Sequence, residues 1–246
     1  MKAPIKRYIK KVLMNFKISR KYNTLTGIYY LPVFAWNDII KKEICAGKIF
    51  QPEVIDLAKQ FVEEDSIVLD IGANYGQLSV LFSELKKGVT VHAFEAQKFI
   101  HKLLVKNIEI NSANVVPYYT LVGNVTKVVN IKKDELSIHE TWGSNHIQVS
   151  ESEANTNKID AIKIDDLNFQ KKITFMKIDV QGMDLEVLKG AVNTINQHKM
   201  PILFEYERCF ESTFNYNFSD FEDFIESINY EIRLKSGDDY LIVPSS

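Results

Sequence analysis

Short apolar runs alternate along the chain with stretches in which apolar residues recur every three or four positions. Such runs are typical of strands buried on both faces, and the recurring pattern is typical of amphipathic helices. The clearest runs are SIVLDIG (66–72), VTVHAFE (89–95), ITFMKIDV (173–180) and PILFEYE (201–207). Because strands and helices alternate, the pattern predicts an α/β fold with a mostly parallel sheet and helices on both of its faces.

The C-terminal end departs from this alternation. Residues 231–234 (EIRL) and 240–243 (YLIV) flank a turn that contains Ser-Gly-Asp-Asp, which predicts an antiparallel hairpin at the edge of the sheet. Residues 114–123 and 125–131 are further strand candidates. Residues 134–158 are polar and show no clear period, so we expect an exposed insert there.

Residues 1–50 predict a basic N-terminal extension ahead of one domain at 51–246. Residues 2–21 hold eight Lys and Arg and no acid. Their apolar positions are spaced as one face of a helix: Ile5, Tyr8, Ile9, Val12, Leu13 and Phe16. We therefore expect an amphipathic helix over residues 2–21, followed by a connector. Two interpretations stay open: the helix packs on the body, or it lies on an anionic membrane surface.

Composition narrows the classes of protein that the chain can belong to. The 246 residues are 46% apolar and 25% charged, as in ordinary folded domains. Residues 1–50 hold 11 Lys and Arg against two acids, and the other 196 residues hold 19 against 30. An acidic body argues against nucleic-acid binding. The two cysteines have no metal-ligand spacing and the sequence shows no secretory or membrane-spanning segment, which predicts a cytoplasmic protein without a metal site.

Four predicted strands end in an acid: Asp70, Glu95, Asp179 and Glu205. Ligands of open α/β sheets bind outside the carboxyl ends of the strands, so these side chains are expected at one edge. Such an edge is electronegative. It suits a cationic or hydroxyl-rich ligand and disfavours a pyrophosphate.

The turn after the first of these strands sharpens that expectation. It reads Asp70-Ile-Gly72-Ala73-Asn74-Tyr-Gly76, with Asn74 in the place where a dinucleotide fingerprint has its middle glycine. Both Asp70 and Asn74 are unfavourable for a phosphate and suit an adenosyl ligand with a sulfonium and an amino-acid tail. Glu95 follows 19 residues after Gly76, where a carboxylate can accept hydrogen bonds from both ribose hydroxyls.

The motifs VLDIGANYGQLSVLF, VHAFEA, KNIEIN, KIDVQGMDLEVLKGA and PILFEYE together resemble the FkbM-type family of S-adenosylmethionine-dependent methyltransferases. The resemblance covers about residues 54–207. It implies a Rossmann-like class I methyltransferase fold and O-methylation of a hydroxyl on a sugar, a glycolipid, a polysaccharide or a natural product.

The family motifs also imply which residues bind the cofactor. They place Asp70, Gly72, Asn74 and Gly76 at the methionine end and Glu95 at the ribose. The expected set is completed by Ala73, Ala96, Asp179 and Gln181. Two positions depart from the family pattern: Ala96 stands where the family usually has Pro, and Gln181 stands where it has Glu.

Asp179 is the first candidate for a general base or for orienting the acceptor, because methyl transfer to a hydroxyl requires removal of a proton. Lys177 lies two residues earlier on the same face of the strand and can hold Asp179 ionised. Glu205 is the second carboxylate candidate. His146, in the polar insert, is a further candidate that could reach over the site.

Eight aromatic residues lie between Phe204 and Phe224. Most are expected in the core or on the packed face of the last helix. Those that directly follow a strand end, Tyr206 and Phe210 first, could instead form a lid or a wall that stacks on a sugar.

Three other functions stay open. An NAD-dependent oxidoreductase is disfavoured by Asn74, and a nucleic-acid methyltransferase is favoured only by the basic leader. A catalytically silent cofactor-binding module at a membrane is disfavoured by the intact Asp70 and Glu95. The expected partners are a small-molecule or saccharide acceptor and an anionic membrane, bound through residues 2–21 on its inner face; no nucleic acid is expected.

Overall fold

The computed structural model describes residues 18–132, 149–150 and 156–245. Its main element is a seven-stranded sheet with the order β12-β13-β11-β10-β3-β4-β5. Five of its strands are parallel: β3 (Ile67–Ile71), β4 (Thr90–Glu95), β5 (Val115–Tyr119), β10 (Ile173–Ile178) and β11 (Ile202–Glu205). The antiparallel pair β12 (Tyr230–Ser236) and β13 (Asp239–Pro244) completes the β11 edge. The predicted sheet and C-terminal hairpin are confirmed.

Helices cover both faces of this sheet, because β3 and β10 are buried at every position and expose no side to water. One face carries a buried cluster with Val54, Phe82 and Leu104, and the other carries a cluster with Leu188, Ile195 and Phe221. The helices are α1 (Ile39–Cys45), α2 (Pro52–Ala58), α3 (Gln77–Ser83), α4 (Lys98–Asn111), α5 (Asp184–Lys189), α6 (Val192–His198), α7 (Glu211–Phe214) and α8 (Phe218–Ser227).

A second, four-stranded sheet with the order β6-β9-β7-β8 lies beside the main one. Its strands are β6 (Leu121–Val122), β7 (Lys127–Lys132), β8 (Val149–Ser150) and β9 (Thr156–Ile162). The insert expected at 134–158 is therefore wrong at its end, because residues 156–158 belong to β9. They pair with β7, and the buried Ile159 and Ala161 hold the strand against Val129 and Ile131.

The N-terminal part begins with a hairpin of β1 (Ser19–Thr24) and β2 (Gly27–Pro32). The helix expected over residues 2–21 is therefore wrong at its end, because residues 19–21 are a strand. Their backbone groups pair with β2, and Gly27, at φ 130°, closes the turn between the two strands. Residues 1–17 lie outside the described part of the chain.

The hairpin and α1 pack on α4 through a buried cluster that contains Tyr29, Leu31, Phe34, Phe99 and Leu103. Residues 19–45 thereby share a core with helix α4 of the main sheet. Within the described residues, no helix is both long and apolar enough to cross a membrane.

Candidate functional site

A cleft opens at the carboxyl ends of β3, β4 and β10, where an open α/β sheet holds its ligands. The structure brings nine of the predicted site residues together in its lining: Asp70, Gly72, Ala73, Asn74, Glu95, Ala96, Lys177, Asp179 and Gln181. These residues lie together because the strands are parallel and in register: Lys177 on β10 is the partner of Asp70 on β3.

The turn after β3 is built on two glycines that tolerate no side chain. Gly72 has φ 88°, and a Cβ there would lie 1.8 Å from the backbone oxygen of Asp179. Gly76 has φ 82°, and its Cβ would lie 2.4 Å from Leu104 Cδ1. Gly72 therefore allows the end of β3 to pack directly on the end of β10, and Gly76 allows α3 to pack on α4. Gly76 supports the turn from behind and does not line the cleft.

Glu95 fixes the same turn from the neighbouring strand. Its Oε2 accepts the backbone N–H of Asn74 at 3.1 Å, and its Oε1 accepts the N–H of Gln97 at 2.7 Å. The side chain is 7% exposed and lines the cleft. A carboxylate oxygen can accept more than one hydrogen bond, so Glu95 is suited to accept hydroxyl groups of a ligand as well.

Asp70 is fully buried beneath the cleft. Ser79 Oγ donates a hydrogen bond to its Oδ2 at 2.5 Å, and Oδ1 has no hydrogen-bond partner among the described residues. Burial raises the pKa of Asp70, while the charge of Lys177 and the hydrogen bond from Ser79 oppose that rise. A ligand ammonium fits such a place, because it would supply both a donor and a positive charge.

Lys177 and Asp179 form an ion pair with 3.1 Å between Nζ and Oδ2. Lys177 is buried, yet the carboxylates of Asp179 and Asp70 outweigh the effect of burial and raise its pKa. Burial would likewise raise the pKa of Asp179, but the charge of Lys177 and the hydrogen bond from Gln181 leave it below its ordinary value. The pair therefore keeps an ionised carboxylate at the cleft.

Gln181 connects Asp179 to the next strand. Its Nε2 donates to Asp179 Oδ1 at 3.0 Å and to Glu205 Oε2 at 2.9 Å. Glu205 is thus joined to the site through Gln181, although it is not part of the cleft lining. Burial, and then the charges of Asp179 and Asp184, raise the pKa of Glu205 to about 10. His146 lies outside the described residues.

Sequence reasoning missed the contribution of the N-terminal part. Ile40, Phe50 and Gln51 form one wall of the cleft. Tyr75, in the turn after β3, donates its hydroxyl to the buried Asp38 at 2.9 Å. These contacts join segments that are distant in sequence, so no local sequence pattern predicts them.

The opposite wall is made by Thr120, Leu121 and Val122, which the sequence analysis marked only as a strand. The aromatic residues after β11 are packed, as expected for most of them: Tyr206 and Phe210 are buried and lie in a network of aromatic rings, which leaves the alternative of a sugar wall without support at these two positions. Among the described residues, no group of three His, Cys, Asp or Glu side chains is placed to hold a metal ion.

The sheet order, the glycine turn and the carboxylate at the end of β4 define a Rossmann-like class I methyltransferase. The sequence matches the family described as "Methyltransferase FkbM domain" over residues 70–232. The chain belongs to that family, which confirms the resemblance seen in its motifs. S-adenosylmethionine is the methyl donor of this family.

Two relatives illustrate the similarity. The hexuronic acid methyltransferase AglP of Haloferax volcanii is 24% identical over 145 residues, which are 59% of this chain and 58% of AglP. The chain thus spans less than two thirds of this curated relative. The crystal structure of an FkbM methyltransferase from Methylobacillus flagellatus is 20% identical, with a TM-score of 0.52, and the match covers 78% of this chain and 50% of that one. This likeness supports the fold.

Proposed function

We propose that this chain transfers a methyl group from S-adenosylmethionine to a hydroxyl group of a carbohydrate acceptor. The observation that carries the proposal is the Lys177–Asp179 ion pair, which holds an ionised carboxylate in the same cleft as the glycine turn and Glu95. When bound, S-adenosylmethionine supplies a methyl group that is already activated on a sulfonium.

The chain's own residues would hold that donor from three sides. Asp70 offers the unpaired Oδ1 to the ammonium group, and Glu95 offers its carboxylate oxygens to the ribose hydroxyls. Ala96, Leu121 and Val122 offer apolar surface beside Glu95. Asp70 would thus face the ammonium group and Glu95 the ribose, and neither contact would require a residue that binds phosphate.

Asp179 would then orient the acceptor hydroxyl and accept its proton. Lys177 keeps this carboxylate ionised and, through its own burial, keeps it from swinging into solvent. The hexuronic acid methyltransferase AglP supports a sugar as the acceptor class, and the carboxylates around the site suit hydroxyl groups as donors of hydrogen bonds.

The test uses the purified full-length chain, S-adenosylmethionine and a panel of sugars, glycosides and lipid-linked sugars, with formation of S-adenosylhomocysteine as the readout. Asp179→Asn should lower turnover by about 10²–10⁴-fold, the usual effect of removing a general base, while the affinity for S-adenosylhomocysteine stays near that of the wild type. Glu63→Gln, on the far exposed surface, is the matched control. Full turnover in Asp179→Asn would refute this role.

We also propose that the basic leader brings a cytoplasmic enzyme to the anionic inner face of a membrane. Arg20 and Lys21 are exposed on β1. The apolar side chains of Ile18, Trp36 and Ile39, outside this strand, are exposed as well. Basic and apolar groups on one segment are what an anionic bilayer surface attracts.

Co-sedimentation with vesicles tests this placement. The full-length chain should bind anionic vesicles, bind more weakly as salt rises, and ignore neutral vesicles. Deletion of residues 1–17, which removes six of the eight basic residues and stops before β1, should weaken binding without loss of fold. A full-length chain that stays in solution with anionic vesicles at low salt would contradict the proposal.

A further inference from the structure

Gln181 is positioned as a rigid bridge between two acidic side chains. One nitrogen, Nε2, donates to Asp179 Oδ1 at 3.0 Å and to Glu205 Oε2 at 2.9 Å. Gln181 has φ 54°, and the following Gly182 has φ 96° with no room for a Cβ, which would lie 2.5 Å from a Phe214 ring carbon. The backbone therefore fixes the amide between the ends of β10 and β11.

The two carboxyl groups that Gln181 joins lie close together, because Asp179 Oδ1 and Glu205 Oε2 are within 3.0 and 2.9 Å of the same nitrogen. Two ionised carboxylates that share one donor nitrogen would repel each other strongly, as in the paired acids of other enzymes. A proton on one of them removes this repulsion and makes that carboxyl group a hydrogen-bond donor.

The surroundings decide which of the two acids carries the proton. Lys177 Nζ contacts Asp179 Oδ2 at 3.1 Å, and its attraction to Glu205 is weaker than its attraction to Asp179, so the positive charge lies mainly on the Asp179 side. The groups that face Glu205 from neighbouring elements are acidic: Asp184 at the start of α5, whose Oδ1 lies 3.4 Å from the Glu205 backbone nitrogen, Glu207 beyond the strand end, and Asp239, its register partner on β13.

We infer that Asp179 and Glu205 share a single proton that resides on Glu205, so that Glu205 is a neutral hydrogen-bond donor and Asp179 is the ionised base. Gln181 is the positioning residue that holds the pair together. The inference rests on the proposed function, because it assigns separate roles within that site. Burial and the neighbouring acids raise the pKa of Glu205 to about 10, in agreement with this assignment.

The assignment has a consequence for the acceptor. Asp179 can take the proton of an acceptor hydroxyl, and Glu205, which already holds one, cannot. The hydrogen bond that Glu205 donates stabilises the negative charge on Asp179 and so keeps this base weak enough to remain ionised at neutral pH.

The first experiment measures the proton directly in the full chain without ligand. Carbon-13 NMR of labelled Asp and Glu carboxyl groups, assigned with Asp179→Asn and Glu205→Gln, should show Glu205 protonated from pH 5 to about 9 and Asp179 ionised over the same range. A Glu205 resonance that titrates near pH 4–5 would overturn the inference, whether or not an acceptor is known. The outcome is thereby independent of the proposed function.

The second experiment uses turnover once a methylated acceptor is found. Glu205→Gln keeps a neutral donor at the same place, so its loss should stay within about tenfold and the fall in rate near pH 10 should disappear. Gln181→Met removes both donors and should move the acidic limb of the pH profile to higher pH, because the Gln181 hydrogen bond lowers the pKa of Asp179. Glu63→Gln, which is exposed and paired with Lys172, is the matched control and should leave the profile unchanged. A loss of 10²-fold or more in Glu205→Gln, with Asp179→Asn active, would reverse the two roles.

Discussion

Glu95→Gln removes an acceptor from a side chain that has two duties. Glu95 holds the turn after β3 by accepting the N–H groups of Asn74 and Gln97, and it is proposed to accept the ribose hydroxyls as well. Glutamine has nearly the same shape, but one oxygen becomes an NH₂ group that can no longer accept. The NH₂ group would also face one of the two backbone N–H donors, so the variant weakens the turn together with the ribose contact.

The expected magnitude follows from the bond that is lost. A hydrogen bond to a charged group contributes about 1.5–3 kcal/mol, so the dissociation constant should rise about 10- to 150-fold. Isothermal titration calorimetry with S-adenosylhomocysteine measures this change. Glu63→Gln, which is exposed and paired with Lys172, carries the same chemical substitution far from the cleft and should bind like the wild type.

A second ligand distinguishes the two duties. The 2′,3′-dideoxy analogue of S-adenosylhomocysteine cannot donate to Glu95, so it should bind the wild type weakly and lose little further affinity in Glu95→Gln. Equal losses for both ligands would refute the ribose contact and leave Glu95 with its role in the turn alone.

Three further outcomes are expected. Gly72→Ala should prevent the native contact between β3 and β10, because its Cβ would lie 1.8 Å from the Asp179 backbone oxygen; a soluble chain with wild-type thermal stability would contradict this. Tyr75→Phe should lower the free energy of unfolding by about 1–3 kcal/mol in urea titrations, because the buried Asp38 loses a donor; an unchanged midpoint would show that this bond is dispensable. Stability should fall as pH rises from about 5 towards 10, since Glu205 binds a proton in the folded state and releases it on unfolding, with a slope of at most about 1.36 kcal/mol per pH unit. Glu205→Gln should lack this contribution, and identical pH dependence in both proteins would refute it.

The sequence predicts the main sheet well because its strands are strongly patterned. β3 and β10 are apolar at nearly every position and are followed by glycine or helix signals, so their burial and order could be read locally. The acids at their ends reach one cleft because parallel strands align their carboxyl ends. The local pattern is sufficient to predict a contact where the alignment of parallel strands determines which side chains meet.

Other parts could not be read in this way. The period of residues 2–21 favours a helix, but pairing with β2 determines the strand at 19–21, and such pairing leaves no periodic signal in β1 alone. The wall formed by Ile40 and Phe50 depends on packing across the molecule. Gln181 is visible in the sequence only as a departure from the family's Glu, and the distances show that its amide donates to two acids at once.

The N-terminal hairpin is attached to the cofactor turn by amide side chains. Asn107 bonds to both backbone groups of Tyr30 and to the oxygen of Tyr75, and Gln77 bonds to Thr26, to the oxygen of Lys48 and to the nitrogen of Phe50. Both amides are buried, and apart from Tyr75 their partners lie in residues 26–50.

A shortened chain that begins at residue 51 would therefore keep every motif of the family and still lose a wall of its own cleft. Asn107 and Gln77 would lose their partners in residues 26–50 and would meet water, so the turn that carries Asn74 would lose this support. Sequence drift in the hairpin is thus a route by which cofactor affinity can change while every residue of the glycine turn stays the same.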